Sequence, residues 1–197
     1  LPVLCDKILM TQGSGLYLAG PTLVKAAIGQ VVEAEELGGA KMHSEISGTV
    51  DFFEKDDPSC LKRVRSLVAL LPEAKSSGAF RERVLPERSK PAKNPDSVYD
   101  LISFDGQKNY DARDLLATIV DEGSLDEYKA DYGKTLVTAY ARINGRPVGI
   151  VANQRMQVRT KKEGIQMGGV IYSGSADKAA RFVMDCNQTN LPIVFFQ

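Results

Sequence analysis

The sequence has little histidine and little cysteine, which argues against most metal and redox sites. Among its 197 residues there is one histidine, and the cysteines are Cys5, Cys60 and Cys186. A structural zinc site needs several closely spaced ligands, and a disulfide scaffold needs paired cysteines. Neither pattern is present, so we predict no metal site. Dispersed cysteines suit a reducing compartment, and we predict the cytoplasm or the mitochondrial matrix.

The sequence also lacks an excess of either charge and any long hydrophobic run. Its 25 basic and 25 acidic residues give a formal net charge of zero. Phosphate binding needs a basic surface, so we predict no nucleic-acid partner. A transmembrane helix needs about 20 mostly apolar residues in a row. No stretch approaches that length and no signal-peptide pattern opens the chain, so no membrane span is predicted.

The hydrophobic residues, 43% of the chain, are enough for a buried core. Their spacing alternates between helical and strand periods, which is typical of an α/β fold with a substantial sheet. Helices are predicted at about 22–28, 33–37, 57–71 and 111–120, in a short segment after Ser124, and from Ser175 onwards. Strands are predicted at 136–143, 146–153 and 191–196.

Local signals place the ends of the first helices. Gly20-Pro21 is a turn that starts the first helix, and Gly38-Gly39 is expected to end the second in the left-handed conformation. Asp57 is expected to cap the third helix, with Pro58 at its first position. The apolar residues of that helix recur on one face, which we expect to be buried: Leu61, Val64, Val68 and Leu71.

Similar signals organise the second half. Asp111 is expected to cap a helix, and Ser124 with Glu127 forms a capping box for a short one. Asn144-Gly145 predicts a type I′ hairpin turn. The polar stretch 154–169 is interpreted as a loop. The last helix is expected to bury Ala179, Phe182, Val183 and Cys186.

Few side chains suggest catalysis. His43 has no nucleophile at a recognisable spacing, so we favour a structural role for it, at the start of a strand. Lys25 lies on an otherwise apolar helix and is interpreted first as a surface lysine, with a phosphate contact as the alternative. The Gly-rich pairs match no phosphate-binding loop. The residues alone therefore predict an α/β protein without a side-chain catalyst.

Three blocks of the chain nevertheless resemble the carboxyltransferase (β) subunit of biotin-dependent acyl-CoA carboxylases, of the propionyl- and methylcrotonoyl-CoA kind. They are GLYLAGPTLVKAAIGQVVEAEELGGAKMHSEISGTVDFF, YDARDLLATIVDEGSLDEYKADYGKTLVTAYARINGRPVGIVAN and ADKAARFVMDCNQTNLPIVFFQ. The resemblance implies a crotonase-like (ClpP/crotonase) ββα superhelix, with parts of two tandem domains at 1–75 and 96–197. The Lys-, Arg-, Ser- and Pro-rich stretch 76–95 would be the linker between them, laid across a surface as a solvated connector.

The resemblance also implies an activity, the transfer of a carboxyl group from carboxybiotin to the α-carbon of an acyl-CoA. In this family backbone amides, not acid or base side chains, stabilise the reacting oxygens. The loops that carry those amides are expected outside residues 1–197. We therefore interpret the chain as an internal fragment with no catalytic residue of its own, inactive in isolation.

Binding residues follow from the same resemblance. Acyl-CoA binding is expected at Gly20, Pro21, Lys25, Gly38 and Gly39, and biotin binding at Asn153 and Gln154. The expected partners are a biotin carboxylase, which uses ATP, a biotin carboxyl carrier, and further copies of the chain in a homo-oligomer, expected to be a hexamer. The loop RMQVRTKKEGIQMGGVIY, residues 155–172, departs from the shorter version typical of methylcrotonoyl- and propionyl-CoA carboxylases, so the acyl group stays open. The alternatives are the decarboxylase subunit of glutaconyl-CoA systems and a non-catalytic acyl-CoA-binding or assembly fragment.

Overall fold

The computed structural model describes residues 2–69, 89–104, 106 and 108–197. Helices and strands alternate along the chain, which confirms the predicted α/β class. The strands are β1 (Leu9–Thr11), β2 (Phe52–Glu54), β3 (Asp126–Tyr128), β4 (Leu136–Ile143), β5 (Arg146–Asn153), β6 (Val158–Thr160), β7 (Gly164–Gln166) and β8 (Ile193–Phe196). The helices are α1 (Pro21–Ile28), α2 (Ala34–Gly38), α3 (Ala40–Met42), α4 (Asp57–Val68), α5 (Val98–Leu101), α6 (Ala112–Leu116) and α7 (Ser173–Gln188), and α3 continues into a π-helical turn at His43–Ser47.

A four-stranded sheet in the order β3-β4-β5-β8 organises the second half of the chain. Strand β5 pairs antiparallel with β4 and parallel with β8. Since side chains alternate between the two faces of a strand, each face of this sheet buries its own set. One face packs on the α6 side, with buried residues Ala112, Leu116, Val120, Val137, Ala141, Val148, Ile150 and Ala152. The other face packs on α7, through Tyr140, Val151, Phe182 and Cys186.

The core on the α7 side joins the two halves of the chain. Phe52 of β2 is buried in it, and Leu9 of β1 and Leu67 of α4 pack against it. The β1–β2 pair is parallel, and its own smaller core contains Met10, Ala40 and Val50. Residues 2–69 therefore pack on α7 and the central sheet through shared apolar surface.

The predicted hairpin turn is confirmed. Asn144 and Gly145 have φ angles of 53° and 78°, the positive values that a type I′ turn requires at both central positions. The buried Asp121 carboxylate accepts the backbone N–H groups of both residues, at 2.8 and 2.7 Å. This carboxylate therefore holds the connection between the two longest strands.

We expect Asp121→Ala to lower the free energy of unfolding by about 2–3 kcal/mol, because two N–H groups lose a charged acceptor. Asp121→Asn retains one acceptor oxygen and should lose less. Glu122→Ala, at the exposed neighbouring position, is the matched control. Chemical denaturation of the three variants checks the order, and equal stability of D121A and E122A would contradict it.

The third predicted helix, α4, differs from expectation at its start and on its apolar face. Asp56, not Asp57, is the N-cap, and its carboxylate accepts the Ser59 N–H at 2.8 Å. The predicted buried face is wrong, since Leu61 is 66% and Val68 60% exposed and Val64 is also exposed. The helix is held from another side, where Leu67 packs on the core and Arg63 contacts Glu54 and Asp126. The predicted end of its apolar face at Leu71 lies outside the described residues.

The short helix predicted after Ser124 is wrong, because this segment forms edge strand β3. The Ser124 hydroxyl accepts the Arg142 N–H at 3.0 Å, and the Glu127 carboxylate pairs with Arg113. Both capping-box side chains are thus used in tertiary contacts.

The interpretation of 154–169 as a loop is also incomplete, since it contains the hairpin β6–β7. Helix α6 ends at Leu116, earlier than predicted, although Leu116 and Val120 are both buried. Helix α7 starts at Ser173, and Ser175 is the third position of its capping box. Its predicted buried face is confirmed by Phe182 and Cys186.

Most of the predicted linker, residues 70–88, lies outside the described residues. The described part, 89–95, runs along the segment after α6. The Glu122 N–H donates to Lys90 O at 2.9 Å, and the Lys93 N–H donates to Ala117 O at 3.0 Å. The division into two domains at these bounds stays a prediction.

Candidate functional site

A corner at Gly38-Gly39 is the tightest part of the predicted acyl-CoA site. The predicted left-handed ending is wrong, since Gly39 has φ −72° and Gly38 is the last residue of α2. The glycines are needed because other parts of the chain approach them closely, and not because their backbone is left-handed. A Cβ on Gly38 would lie 2.5 Å from Leu16 O and 2.6 Å from the Tyr17 ring. Such distances leave no room for a side chain.

This corner is bound to the segment Ser14–Tyr17. The Leu16 N–H donates to Gly38 O at 2.8 Å, and the Ala40 N–H donates to Ser14 O at 3.0 Å. The Tyr17 hydroxyl donates to the carbonyl oxygen of Ala34, the first residue of α2, at 2.8 Å. These bonds fix the backbone of the corner relative to the chain entering α1.

His43 belongs to the same unit, and its predicted place at a strand start is wrong. It lies where α3 passes into the π-helical turn. Its ring nitrogens are 2.9 Å from Leu16 O and 2.9 Å from the Ser47 hydroxyl. Both nitrogens therefore have partners within the protein, which agrees with the structural role favoured from sequence.

Helix α1 carries the remaining predicted acyl-CoA residues. Gly20 is its N-cap, Pro21 its first residue, and Lys25 lies exposed in its last turn. No residue of α1 is buried, and the adjacent apolar side chains are exposed at Leu18, Leu23, Ile28 and Val31. Several exposed apolar side chains on one short segment are typical of a ligand or protein contact. Within the described residues, Lys25 has no ion pair.

The two predicted biotin residues differ in what their carboxamides do. The Gln154 side chain is buried, and its oxygen accepts the N–H groups of Ala112 and Arg155 at 3.0 and 2.9 Å. Its nitrogen donates to Asp111 at 2.9 Å. Gln154 therefore holds the start of α6 and the chain after β5. Asn153, the last residue of β5, is half-buried, and its carboxamide makes no hydrogen bond with the described residues.

A buried ion pair was missed by sequence reasoning. Lys129 Nζ lies 2.7 Å from Asp51 Oδ1, with exposures of 7% and 5%, and so links the two halves of the chain. Burial lowers the pKa of Lys129, although Asp51 opposes the shift. Burial, with Asp51 adjacent, raises the pKa of the neighbouring Tyr128.

A second missed cluster lies on the same apolar core. Lys7 Nζ is 2.6 Å from Asp185 Oδ2 and 2.5 Å from the Tyr140 hydroxyl. That hydroxyl also donates to Asp185 at 2.5 Å. Burial and this hydrogen bond raise the pKa of Tyr140, which remains protonated. No motif signals such pairs, since their members are far apart in sequence.

Comparison with known proteins shows which family this chain resembles. The model of the carboxyl transferase domain family matches residues 1–197. The methylcrotonoyl-CoA carboxylase beta chain of Dictyostelium discoideum is 36% identical over 198 residues, covering 100% of this chain and 31% of that protein. The methylmalonyl-CoA carboxyltransferase 12S subunit of Propionibacterium freudenreichii subsp. shermanii is 39% identical over 194 residues, covering 98% of this chain and 34% of that protein.

A solved structure supports the same family. Transcarboxylase 12S, a hexamer described with methylmalonyl-CoA and methylmalonic acid bound, superposes with a TM-score of 0.81 at 37% identity. The alignment covers 98% of this chain and 35% of that one. The chain thus spans about a third of the length of its relatives, and the predicted crotonase-like fold is confirmed. It belongs to the carboxyl transferase domain family.

Proposed function

We propose that the protein containing this chain transfers a carboxyl group between carboxybiotin and the α-carbon of an acyl-CoA. The observation that carries the proposal is the family match over residues 1–197, together with 39% identity to a methylmalonyl-CoA carboxyltransferase subunit. The amides that stabilise the reacting oxygens are still expected outside residues 1–197.

The corner at Gly38-Gly39 and helix α1 are proposed as part of the acyl-CoA site. Acyl-CoA is amphipathic, with an apolar acyl chain and an anionic nucleotide. Helix α1 offers exposed apolar side chains beside the ammonium of Lys25, which is a suitable combination. Gly20 leaves open space where a Cβ would be, and Pro21 fixes the helix start. Gly38 and Gly39 keep the adjacent backbone free of side chains.

Biotin, when bound to its carrier, supplies the carboxyl group to be transferred. Asn153 fits a role in holding the biotin ring, because its carboxamide has a donor and an acceptor not used by the described residues. Gln154 does not fit as a direct contact, because the protein itself uses its oxygen and its nitrogen. We propose it as a positioning residue that fixes the backbone after β5.

The proposed partners are further copies of this protein, a biotin carboxyl carrier and an ATP-using biotin carboxylase. Hexamer assembly is described for transcarboxylase 12S. The exposed apolar surface of α1 supports self-association here, since such a surface is costly to leave in water.

The test is labelled bicarbonate fixation by the full-length protein with its carrier, carboxylase and ATP, using propionyl-CoA and 3-methylcrotonoyl-CoA. ATP-dependent labelling of either acyl-CoA supports the proposal. ATP-independent loss of carboxyl groups from a carboxylated acyl-CoA, without fixation, would instead support the decarboxylase alternative. No turnover of any acyl-CoA would favour a binding or assembly role.

Gly38→Ala in the full-length protein is expected to raise KM for acyl-CoA about tenfold, because its Cβ displaces Leu16 and Tyr17 from the corner. Glu122→Ala, at an exposed position outside the proposed site, is the control and should leave KM unchanged. Steady-state kinetics against acyl-CoA measure both. A KM for G38A within twofold of that for E122A would remove the corner from the site.

A further inference from the structure

A cavity of about 270 Å³ lies where the first half of the chain meets α7. Its walls come from the segment after the π-helical turn, from the chain after β3 and from α7. The charged and hydroxyl-bearing residues among its lining are Ser47, Thr49, Asp51, Lys129, Tyr132, Asp177, Lys178 and Arg181. None of these residues has a role in the proposed carboxyl transfer.

Lys178 is the unusual member of this wall. It is 1% exposed, and its ammonium donates to Tyr132 O at 2.9 Å. An ammonium has three N–H donors and a full positive charge, and a single carbonyl oxygen satisfies only one of those donors. No carboxylate of the described residues lies within ion-pair distance of Lys178. A buried cation normally has an anionic partner.

The other charges of the wall leave a positive balance. Lys129 and Asp51 form an ion pair and cancel. Arg181 follows Lys178 by three positions on α7, so the two lie on one helix face. Asp177 is exposed and provides the one remaining negative charge, against the two cations Lys178 and Arg181.

Hydroxyl groups line the same cavity as these cations. The Ser47 and Thr49 hydroxyls lie 3.0 Å apart. The Ser47 hydroxyl donates to Thr49, whose own hydroxyl is a donor of the kind that oxyanions accept, and both residues come from the first half of the chain. A ligand between them and Lys178 would therefore contact both halves.

We propose that this cavity binds a small tetrahedral oxyanion, with the Lys178 ammonium as its buried counter-ion and Arg181 closing over it from the rim. The shared chemistry is that of a phosphate group, either a free ion or the phosphate of a larger ligand. Bound there, the anion supplies the partner that Lys178 lacks and joins residues 47–49 to α7. The proposal does not depend on the carboxyl-transfer activity.

The site should also couple binding to protons. Burial lowers the pKa of Lys178 to about 7, with Glu127 and Asp131 opposing the shift and Arg113 and Lys129 adding to it. Asp177, Arg181 and the ring of Tyr132 face the same cavity. A bound anion favours the ammonium, so binding takes up a proton near neutral pH and weakens as pH rises.

The experiment is titration calorimetry of the full-length protein with sodium sulfate at constant ionic strength, because sulfate keeps its charge across this pH range. We expect binding at pH 6 that weakens about tenfold or more by pH 9. Lys178→Met should abolish it. Arg181→Gln, at an exposed position whose guanidinium otherwise makes a long hydrogen bond to Cys5 O at 3.4 Å, should weaken it several-fold, and Lys62→Gln on α4 is the control with unchanged affinity.

Equal sulfate affinity in wild type, K178M and R181Q would overturn the proposal, as would affinity independent of pH. If K178M does not fold, the R181Q and pH measurements decide alone. Inorganic phosphate and adenosine 3′,5′-bisphosphate then distinguish the source. Tighter phosphate binding indicates a free ion, tighter nucleotide binding indicates a phosphate group of a larger ligand, and displacement of sulfate by neither contradicts the site.

Discussion

Replacing Lys129 with methionine is expected to lower the free energy of unfolding by about 3–5 kcal/mol, since it leaves a buried carboxylate without its counter-ion. Asp51 is 5% exposed, and its second oxygen accepts the Ile8 N–H at 2.7 Å, so the carboxylate cannot turn to water. Lys129 also donates to Gly48 O at 2.5 Å, which is lost as well. The pair joins the segment before β2 to the end of β3.

Two controls separate this effect from a general effect of removing a charge. Lys134→Met breaks the partly exposed pair Asp131–Lys134, 3.7 Å apart, and should cost about 0–1 kcal/mol. The double variant Asp51→Asn, Lys129→Met should recover part of the loss, because no charge then remains buried. Chemical denaturation measures all three. A K129M protein as stable as K134M would show that Asp51 is not buried as described.

Phe182→Ala is expected to have an effect of similar size, a loss of about 3–5 kcal/mol, because it leaves a cavity at the centre of the core that joins the two halves. Phe182 is fully buried, with its ring centroid 5.4 Å from that of Tyr128 and 5.0 Å from that of Tyr140. Gly149 approaches the same ring so closely that a Cβ there would lie 3.3 Å from it. The ring therefore packs directly on the backbone of β5, and its removal takes that contact away.

Met184→Ala on the same helix is the matched control, since Met184 is 68% exposed and its truncation should change stability by about 0.5 kcal/mol or less. Thermal and chemical unfolding of both variants give the comparison. Because Phe52 of the first half shares this core, hydrogen exchange in β1 and β2 should accelerate in F182A. Unchanged exchange there would show that the halves are independent.

The sequence predicted those parts of the fold that depend on local geometry. The hairpin at Asn144-Gly145 requires positive φ at two adjacent positions, and few residues other than glycine and asparagine supply them. Helix α7 has a regular apolar face, and Phe182 and Cys186 are buried as that face indicates. In such segments local preference and tertiary packing agree.

Prediction failed where tertiary contacts override the local pattern. Helix α4 has an amphipathic pattern, yet Leu61 and Val68 are exposed because Arg63 and Leu67 make the contacts that position it. Ser124 resembles a helix cap but bonds the backbone of Arg142 in the neighbouring strand. The residue pattern along one helix or strand does not show which other elements will pack against it.

The candidate site shows the same division. Gly38-Gly39 was identified by resemblance, but the reason for glycine there, contact with Leu16 and Tyr17, depends on a distant segment. The strand that Gln154 follows was predicted correctly, while the hydrogen bonds of its carboxamide to Asp111, Ala112 and Arg155 were not foreseeable. The burial of Lys178 depends on how α7 meets the rest of the chain, which no local spacing encodes.

The most direct test of the proposed function is the half-reaction that needs neither carrier nor ATP. The full-length protein is incubated with methylmalonyl-CoA or with 3-methylglutaconyl-CoA, with and without free biotin, and propionyl-CoA or 3-methylcrotonoyl-CoA is measured over time. We expect one of these products to form at a rate that depends on biotin and falls in the Gly38→Ala variant. Rates that are the same with and without biotin for both substrates would contradict carboxyl transfer as the function of this protein.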